Sequence, residues 1–382
     1  MDKMQADRVA LLSCAHFLND AFHGFVAPLL PMLMIKIGFG ITQAALLTSI
    51  QSIFTSLSQP LFGHVADRIR RPIMTAWGPL VTAVFLGSIG LVNSYTAIVI
   101  ILILAGIGTS AFHPQSAMLA GRAGGNRGGL AMSIFITGGS AGHSLGPMII
   151  LPIVTYLGLA YTPLTMIPGI LISLLLFRNL PVLAHPPAQR PAAAQHRTAP
   201  GLWKVLVLLY FIVTVRALLV SGFITFLPIY LHQKSFSLLL AGSAITIFEL
   251  SGSMGSLVGG HISDRVGRKI LVILSVSVPL PFLWLFLHSN GPTAFVFLAL
   301  SGFFLFTSVP VVIIMAQELY PQRVNTVSSM MMGMAWGLGG LLVSPMGALA
   351  DRIGVGQTLQ ILIFCALPAL IASFFLKESK DK

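Results

Sequence analysis

Charged residues are scarce in this chain. Asp, Glu, Lys and Arg make up 8% of its 382 residues, whereas 55% are hydrophobic. A water-soluble domain of this size carries about a quarter charged residues. The composition therefore excludes a soluble globular protein and favours one that lies in lipid.

Cysteines and catalytic motifs are also lacking. Cys14 and Cys365 are the only cysteines, and each lies within an apolar run, which excludes a disulfide framework and a thiol-rich metal site. No glycine-rich phosphate loop is followed by lysine, and there is no His-x-x-x-His pair. The sequence thus predicts neither an enzyme nor an ATP-driven machine, and neither a cofactor nor a metal.

Long apolar runs are what the chain has in abundance. A helix needs about 20 apolar residues to cross the hydrocarbon core, where an unpaired backbone polar group is costly. The first run is too long for a secretory signal and has no cleavage pattern. Twelve runs predict an all-α membrane protein: 9–35, 43–62, 73–92, 96–119, 129–154, 162–177, 203–231, 238–260, 270–288, 293–316, 324–348 and 357–376.

Basic residues are confined to alternate loops. Of the 22 lysines and arginines, only Lys36, Lys234 and Arg352 fall on the predicted outer side, and Arg216 falls within a run. The remaining basic residues lie on the other side, so the positive-inside rule places both termini in the cytoplasm. We expect a multi-pass protein of the inner membrane, and this distribution explains the net charge of +12 without a nucleic-acid partner.

A short sequence motif occurs twice in the chain. Gly63-His-Val-Ala-Asp67-Arg68-Ile-Arg70-Arg71 recurs 197 residues later from Gly260 to Lys269. Two copies of a helix bundle are a common plan of secondary transporters. We predict bundles at 1–180 and 202–382, joined by a Pro- and Ala-rich cytoplasmic linker at 181–201.

The repeated loop has the residues of a conformational latch. Glycine permits close approach of a neighbouring helix, and the aspartate can accept hydrogen bonds from helix N-terminal amides and pair with the arginines. Ordinary anchoring at the membrane surface is the alternative interpretation. The candidate latch residues are Gly63, Asp67, Arg68, Arg71, Gly260, Asp264, Arg265 and Arg268.

The second copy of this loop resembles the loop signature of the major facilitator superfamily, although the first copy has Arg70 where glycine is usual. The resemblance implies twelve helices in two pseudo-symmetric six-helix bundles. Leu18-Asn19-Asp20, Phe112-His113-Pro114 and Ser133-Ile134-Phe135 further resemble the fosmidomycin resistance branch of that superfamily. This branch implies drug efflux driven by inward proton flow.

The fifth run contains glycines at a spacing of four, which allow close backbone packing, and a proline that bends the helix. These residues are Gly138, Gly142, Gly146 and Pro147. In the superfamily such a stretch resembles the antiporter motif, although its usual trailing glycines are missing. Helix packing alone is the alternative explanation.

Ionisable residues within the bilayer are expensive and are therefore functional candidates. His16, Asp20 and His23 fall on one face of the first run, and buried carboxylates and imidazoles can exchange protons near neutral pH. We predict Asp20 as the proton carrier with His23 beside it, or alternatively as a structural residue. Glu249, in the eighth run, is either a second proton site or the partner of Arg216.

Arg216 stands where the duplication places Asn19. Its guanidinium could hold a phosphonate, phosphate or carboxylate through two hydrogen bonds, or serve a structural pair. Asn19, Gln51 and His113 are the other candidate substrate contacts. The duplication further predicts that Asp20 and Arg216 lie on opposite walls of one cavity.

These observations favour a proton-coupled exporter that works by alternating access on a small toxic or drug-like compound, with anionic compounds among the candidates. An uptake symporter or uniporter for a small organic anion is the alternative, and a non-transporting membrane sensor is a remote one. The predicted partners are the substrate, protons and the bilayer. We expect a monomer.

Overall fold

The computed structural model describes residues 4–66, 72–179, 202–320, 327 and 330–376. Within these ranges the chain is helical and contains no β-strand. We number the helical segments α1 to α12 in chain order. They are α1 Ala6–Ile37, α2 41–66, α3 Ile73–Leu91, α4 Tyr95–Ala123, α5 Gly128–Tyr156, α6 Leu159–Asn179, α7 Leu202–Gln233, α8 Leu238–Val266, α9 Arg268–His288, α10 Pro292–Leu319, α11 Met330–Ile353 and α12 Val355–Phe374.

Eleven of these segments are long and apolar enough to cross a membrane. Segment α2 is the exception, although it coincides with the predicted run 43–62. It consists of Ile41–Ser52, a π-helical turn at Ile53–Leu57, and Gln59–Ala66. Its many Ser, Thr and Gln side chains lower its hydropathy, which explains why composition alone does not classify it as a span.

Helix α1 is interrupted where the sequence predicts one continuous run. Ala6–His23 ends at Gly24, and the helix resumes at Val26. Pro28 has no N–H and cannot donate to the carbonyl four residues earlier, which weakens the helix at this point. The break separates the polar first part of α1 from its apolar second part.

The described residues form two compact units. The first contains α1 to α6 together with Leu227–Thr246, and the second contains the rest of α7 and α8 with α9 to α12. The bundle boundaries at 180 and 202 stay a prediction, and the linker at 181–201 lies outside the described residues. The start of the run 324–348 is described only at Val327 before Met330.

Close packing of α1 against α5 orders the first unit. A Cβ atom added at any of three glycines of α5 would collide with a carbonyl oxygen of α1, so only glycine permits this separation of the backbones. The three glycines are four residues apart on α5, and the residues they face are four residues apart on α1. The pairs are Gly138 with Ser13, Gly142 with Phe17, and Gly146 with Ala21.

Candidate functional site

Three ionisable side chains converge between α1 and α4. The Nε2 atom of His16 lies 3.1 Å from Oδ2 of Asp20, and Nε2 of His113 lies 3.4 Å from Oδ1. The two Nε2 atoms are 3.2 Å apart. We call these residues the His–Asp–His cluster. The exposed fractions of the side chains are 8% for His16, 19% for Asp20 and 24% for His113, so the cluster is largely withdrawn from the surface.

The ring of His16 is fixed by α5. Its Nδ1 atom lies 2.8 Å from the carbonyl oxygen of Phe135, and the two rings stack with centroids 4.1 Å apart. A Cβ atom at Gly139 would overlap the imidazole. The glycine-rich stretch of α5 therefore makes room for a titratable ring besides packing on the α1 backbone.

The ring of His113 is held within α4. Its Nδ1 atom lies 2.8 Å from the carbonyl oxygen of Thr109, one turn earlier. Since a carbonyl oxygen only accepts hydrogen bonds, Nδ1 of His113 carries the hydrogen in this contact. The contact orients the ring so that its Nε2 atom faces Asp20.

The carboxylate of Asp20 has a neutral partner as well. Nδ2 of Asn19 donates to Oδ1 of Asp20 at 3.0 Å. Asn19 is fully buried, and its Oδ1 atom has no hydrogen-bond partner within the described part of the chain. The amide therefore stabilises a charged carboxylate and keeps one acceptor unused.

A second polar chain begins at His23, one turn after Asp20. Its Nε2 atom lies 2.5 Å from Oγ1 of Thr109, and Nε2 of Gln51 lies 2.7 Å from its Nδ1. The Thr109 hydroxyl also lies 3.0 Å from that of Thr82. In this structure the amide of Gln51 thus contacts His23, which links α2 to α1.

The His–Asp–His cluster also has the spacing of a metal site. Among the described residues, these three bring their ligand atoms within 4.8 Å of one another. Three ligand atoms this close together could hold a proton or a metal ion between them.

In the second unit, Arg216 is 4% exposed. Its Nη1 atom donates to Oγ of Ser308 at 2.8 Å, and Oγ of Ser275 donates to the same oxygen at 2.7 Å. Nε of Arg216 has no hydrogen-bond partner among the described residues. The structure therefore gives the guanidinium a hydroxyl anchor and leaves an N–H donor for another group. Glu249 is 6% exposed, and its pairing with Arg216 stays a prediction.

The two copies of the loop motif place their glycines alike. A Cβ atom at Gly63 would lie 3.8 Å from Cβ of Pro114, and one at Gly260 would lie 3.3 Å from Cγ of Pro310. Each glycine therefore faces a proline on the fourth helix of its own half. Asp67, Arg68 and Arg71 lie outside the described residues, as does the side chain of Asp264, whereas Arg265 is exposed.

Arg268 forms an ion pair with Glu318 at the end of α10. The exposed fractions of the two side chains are 23% and 42%. This pair ties the loop motif to the second unit's own α10, a partner that sequence spacing does not reveal.

Comparison with known proteins identifies the family. The model of the Major Facilitator Superfamily matches residues 12–344, and the chain belongs to this superfamily. It is a multi-pass membrane transporter and not an enzyme. The resemblance drawn from the loop signature is thereby confirmed.

Several relatives have names that describe resistance. The chain is 28% identical to the fosmidomycin resistance protein of Escherichia coli, over 97% of this chain and 93% of that protein. It is 28% identical to the MFS-type transporter YfnC of Bacillus subtilis over the same shares. It is also 28% identical to the multidrug resistance protein MdtG of Citrobacter koseri, over 72% of this chain and 71% of the relative.

Solved structures confirm the fold. A bacterial homolog of the human lysosomal transporter Spinster, inward-facing and unoccupied, matches with a TM-score of 0.81 at 14% identity, covering 97% of this chain and 96% of that one. A point mutant of the nucleoside transporter NupG matches with a TM-score of 0.79 at 16% identity, covering 97% of this chain and 99% of that one.

Sequence reasoning placed Asp20, His23 and His113 among the candidates and put His16 on the same helix face as Asp20, but it gave His16 no role and did not single out Thr109. No comparable signal existed for Thr109, because its role depends on how α4 faces α1.

Proposed function

We propose that this protein exports a small toxic or drug-like, anionic compound in exchange for protons by alternating access. The observation that carries the proposal is the His–Asp–His cluster, whose members lie in the membrane spans Ala6–Ile37 and Tyr95–Ala123. Relatives named for fosmidomycin and multidrug resistance support the direction of transport.

The cluster is the proposed coupling site, with Asp20 at its centre. A carboxylate at this depth is costly unless it is paired or protonated, and here its pairing groups are imidazoles, which themselves exchange protons near neutral pH. A change in cluster charge therefore alters the stability of whichever conformation buries it. His23 and Glu249 are proposed as further proton-coupling groups.

Arg216 is the proposed contact for the negative group of the substrate. Its anchor on Ser308 fixes the guanidinium, and its Nε donor is buried without a hydrogen-bond partner among the described residues, which an oxyanion would supply. Asn19, Gln51 and His113 are proposed as polar contacts on the first unit, and the unused Oδ1 of Asn19 could accept from a substrate donor.

The loop motif is proposed as the conformational latch, and both termini as cytoplasmic in the inner membrane. Support for the latch is the contact of each motif glycine with a proline and the Arg268–Glu318 pair. Support for the orientation is the distribution of basic residues. We propose a monomer as the working unit.

Inside-out vesicles with an acidic lumen test the function. If the protein is an antiporter, outward proton flow should drive fosmidomycin into the lumen, and collapse of the gradient should stop accumulation. Asp20→Asn should abolish the effect of the gradient. Asp7→Asn, an exposed residue in the first turn of the same helix, is the matched control and should behave as wild type.

The opposite gradient separates export from uptake. A symporter would accumulate the compound only when the medium is more acidic than the lumen, and a uniporter would ignore either gradient. Gradient-driven accumulation that survives in Asp20→Asn would remove Asp20 from the coupling mechanism.

A further inference from the structure

The two imidazoles of the His–Asp–His cluster have the same hydrogen-bonding state. Each Nδ1 atom lies 2.8 Å from a backbone carbonyl oxygen, that of Phe135 for His16 and that of Thr109 for His113. Because a carbonyl oxygen is only an acceptor, both Nδ1 atoms must carry hydrogen. A neutral imidazole has one N–H, so both Nε2 atoms then present lone pairs.

These lone pairs point at one another and at a carboxylate. The Nε2 atoms are 3.2 Å apart, and they lie 3.1 and 3.4 Å from the oxygens of Asp20. Three acceptors at hydrogen-bond distance, with no hydrogen between them, repel one another. One proton placed on either Nε2 turns this repulsion into a charge-assisted hydrogen bond.

We propose that the coupling proton is a single proton shared by Nε2 of His16 and Nε2 of His113, while Asp20 stays ionised as its fixed counter-charge. The inference rests on the proposed function in taking this cluster as the coupling site. It names the atoms that carry the proton, and it makes His16 a coupling residue.

The carboxylate of Asp20 binds the proton less strongly than the two imidazoles do. Oδ1 of Asp20 accepts from Nδ2 of Asn19 at 3.0 Å, which stabilises the ionised form, and imidazole is intrinsically the stronger base. When the proton arrives, an N–H bond forms at one Nε2 atom and the charge of the cluster changes from −1 to zero. A second proton would leave an uncompensated positive charge in a buried site, so the cluster holds one.

The surrounding helices supply few other groups that could bind this proton. Both nitrogens of His23 are already in hydrogen bonds, to Thr109 and Gln51, and His143 lies one turn beyond Gly139 on α5. Helix α3 has no titratable side chain. The other titratable or charged groups on α1 and on the helices packed against it are Asp7, Arg8, Cys14, Lys36, His64, Tyr95, Arg122, Arg127, Tyr156, Tyr161 and Arg178. Cys14 is exposed, and the others lie nearer the helix ends.

The test is histidine NMR on the full-length protein in lipid nanodiscs, with ¹⁵N-labelled imidazoles and no drug or gradient. His16→Gln and His113→Gln assign the two signals, and His232→Gln, at an exposed position at the end of α7, is the matched control. On acidification both Nε2 signals should shift together with one midpoint. Each should move about half the distance to imidazolium, because coupled sites titrate as a pair.

Infrared difference spectra of the wild-type protein and of Asp20→Asn provide the second readout. Over the same pH range the wild-type spectra should show no protonated carboxyl band that is lost in Asp20→Asn. In Asp20→Asn, a smaller fraction of the pair should be protonated at any given pH, because the counter-charge is gone.

Two results would overturn the inference. The first is a carboxyl band that disappears in Asp20→Asn while both imidazoles stay silent. The second is two separate midpoints that sum to two protons. If the shared titration is observed but drug exchange is not proton-driven, the proposed function fails and the site assignment stands.

Discussion

The Nε2 atom of His23 lies 2.5 Å from Oγ1 of Thr109, and the carbonyl oxygen of the same threonine holds Nδ1 of His113. One residue of α4 thus orients two histidines, one through its side chain and one through its backbone. The hydroxyl can be removed without touching the carbonyl, which makes the two contacts separable by mutation.

Thr109→Val should therefore destabilise the protein while sparing the His–Asp–His cluster. The variant leaves the partly buried Nε2–H of His23 without an acceptor, which costs about 1–3 kcal/mol. Thermal unfolding in detergent measures the loss. Thr358→Val, which removes only a bond to the carbonyl of Gly354 one turn earlier, is the control and should lose less. A large effect on the joint titration of His16 and His113 would contradict this separation.

Gly142→Ala should loosen the packing of α1 on α5. Its Cβ atom would collide with the carbonyl oxygen of Phe17, and overpacking of this kind typically costs about 1–3 kcal/mol. Gly121→Ala is the matched control, because nothing lies within 4 Å of its Cβ position and alanine is the better helix former by about 1 kcal/mol. Equal unfolding temperatures for the two variants would show that the close approach is unimportant.

Arg216→Lys should weaken binding of anionic substrates while leaving the fold intact. Lysine keeps the positive charge but cannot donate to Ser308 and to an oxyanion in a fixed fork. Loss of one hydrogen bond to a charged group, about 1.5–3 kcal/mol, corresponds to a roughly 10- to 150-fold weaker affinity. Direct binding to purified protein measures it, with the exposed Arg352→Lys as control. An unchanged affinity would argue against bidentate recognition.

Reversing the Arg268–Glu318 pair should test the latch. Arg268→Glu or Glu318→Arg alone places like charges together, and the double exchange restores the attraction. Since both side chains are partly exposed, the coupling free energy should be only about 0.2–1 kcal/mol and should fall with added salt. Transport rates of the four proteins complete the cycle. Additive losses in the double variant would show that the pair does not set the balance between conformations.

Hydropathy predicted the helices well because the bilayer imposes a length and a composition on each one. The fourth predicted run, 96–119, is the helix Tyr95–Ala123, and the ninth, 270–288, is Arg268–His288. Hydropathy did not predict the break at Gly24 or the π-helical turn at Ile53–Leu57. Such local distortions depend on backbone groups that neighbouring helices satisfy.

The duplication predicted which helices correspond, and the structure shows how each pair is joined. Helices α1 and α4 meet through Asp20 and His113, and α7 and α10 meet through Arg216 and Ser308 at nearly the same positions of the second copy. The loop signature likewise predicted a role for Arg268 but not its partner Glu318.

The amino-acid sequence by itself determined the membrane environment, the helical spans, the internal repeat and the superfamily, because each follows from composition, spacing or a local motif. Only the tertiary structure decided that His16 and His113 share a site with Asp20, that Thr109 orients His23, and that the α5 glycines fit the carbonyls of α1. Those contacts depend on the rotation and depth of each helix against its neighbours, which side-chain packing sets and hydropathy does not record.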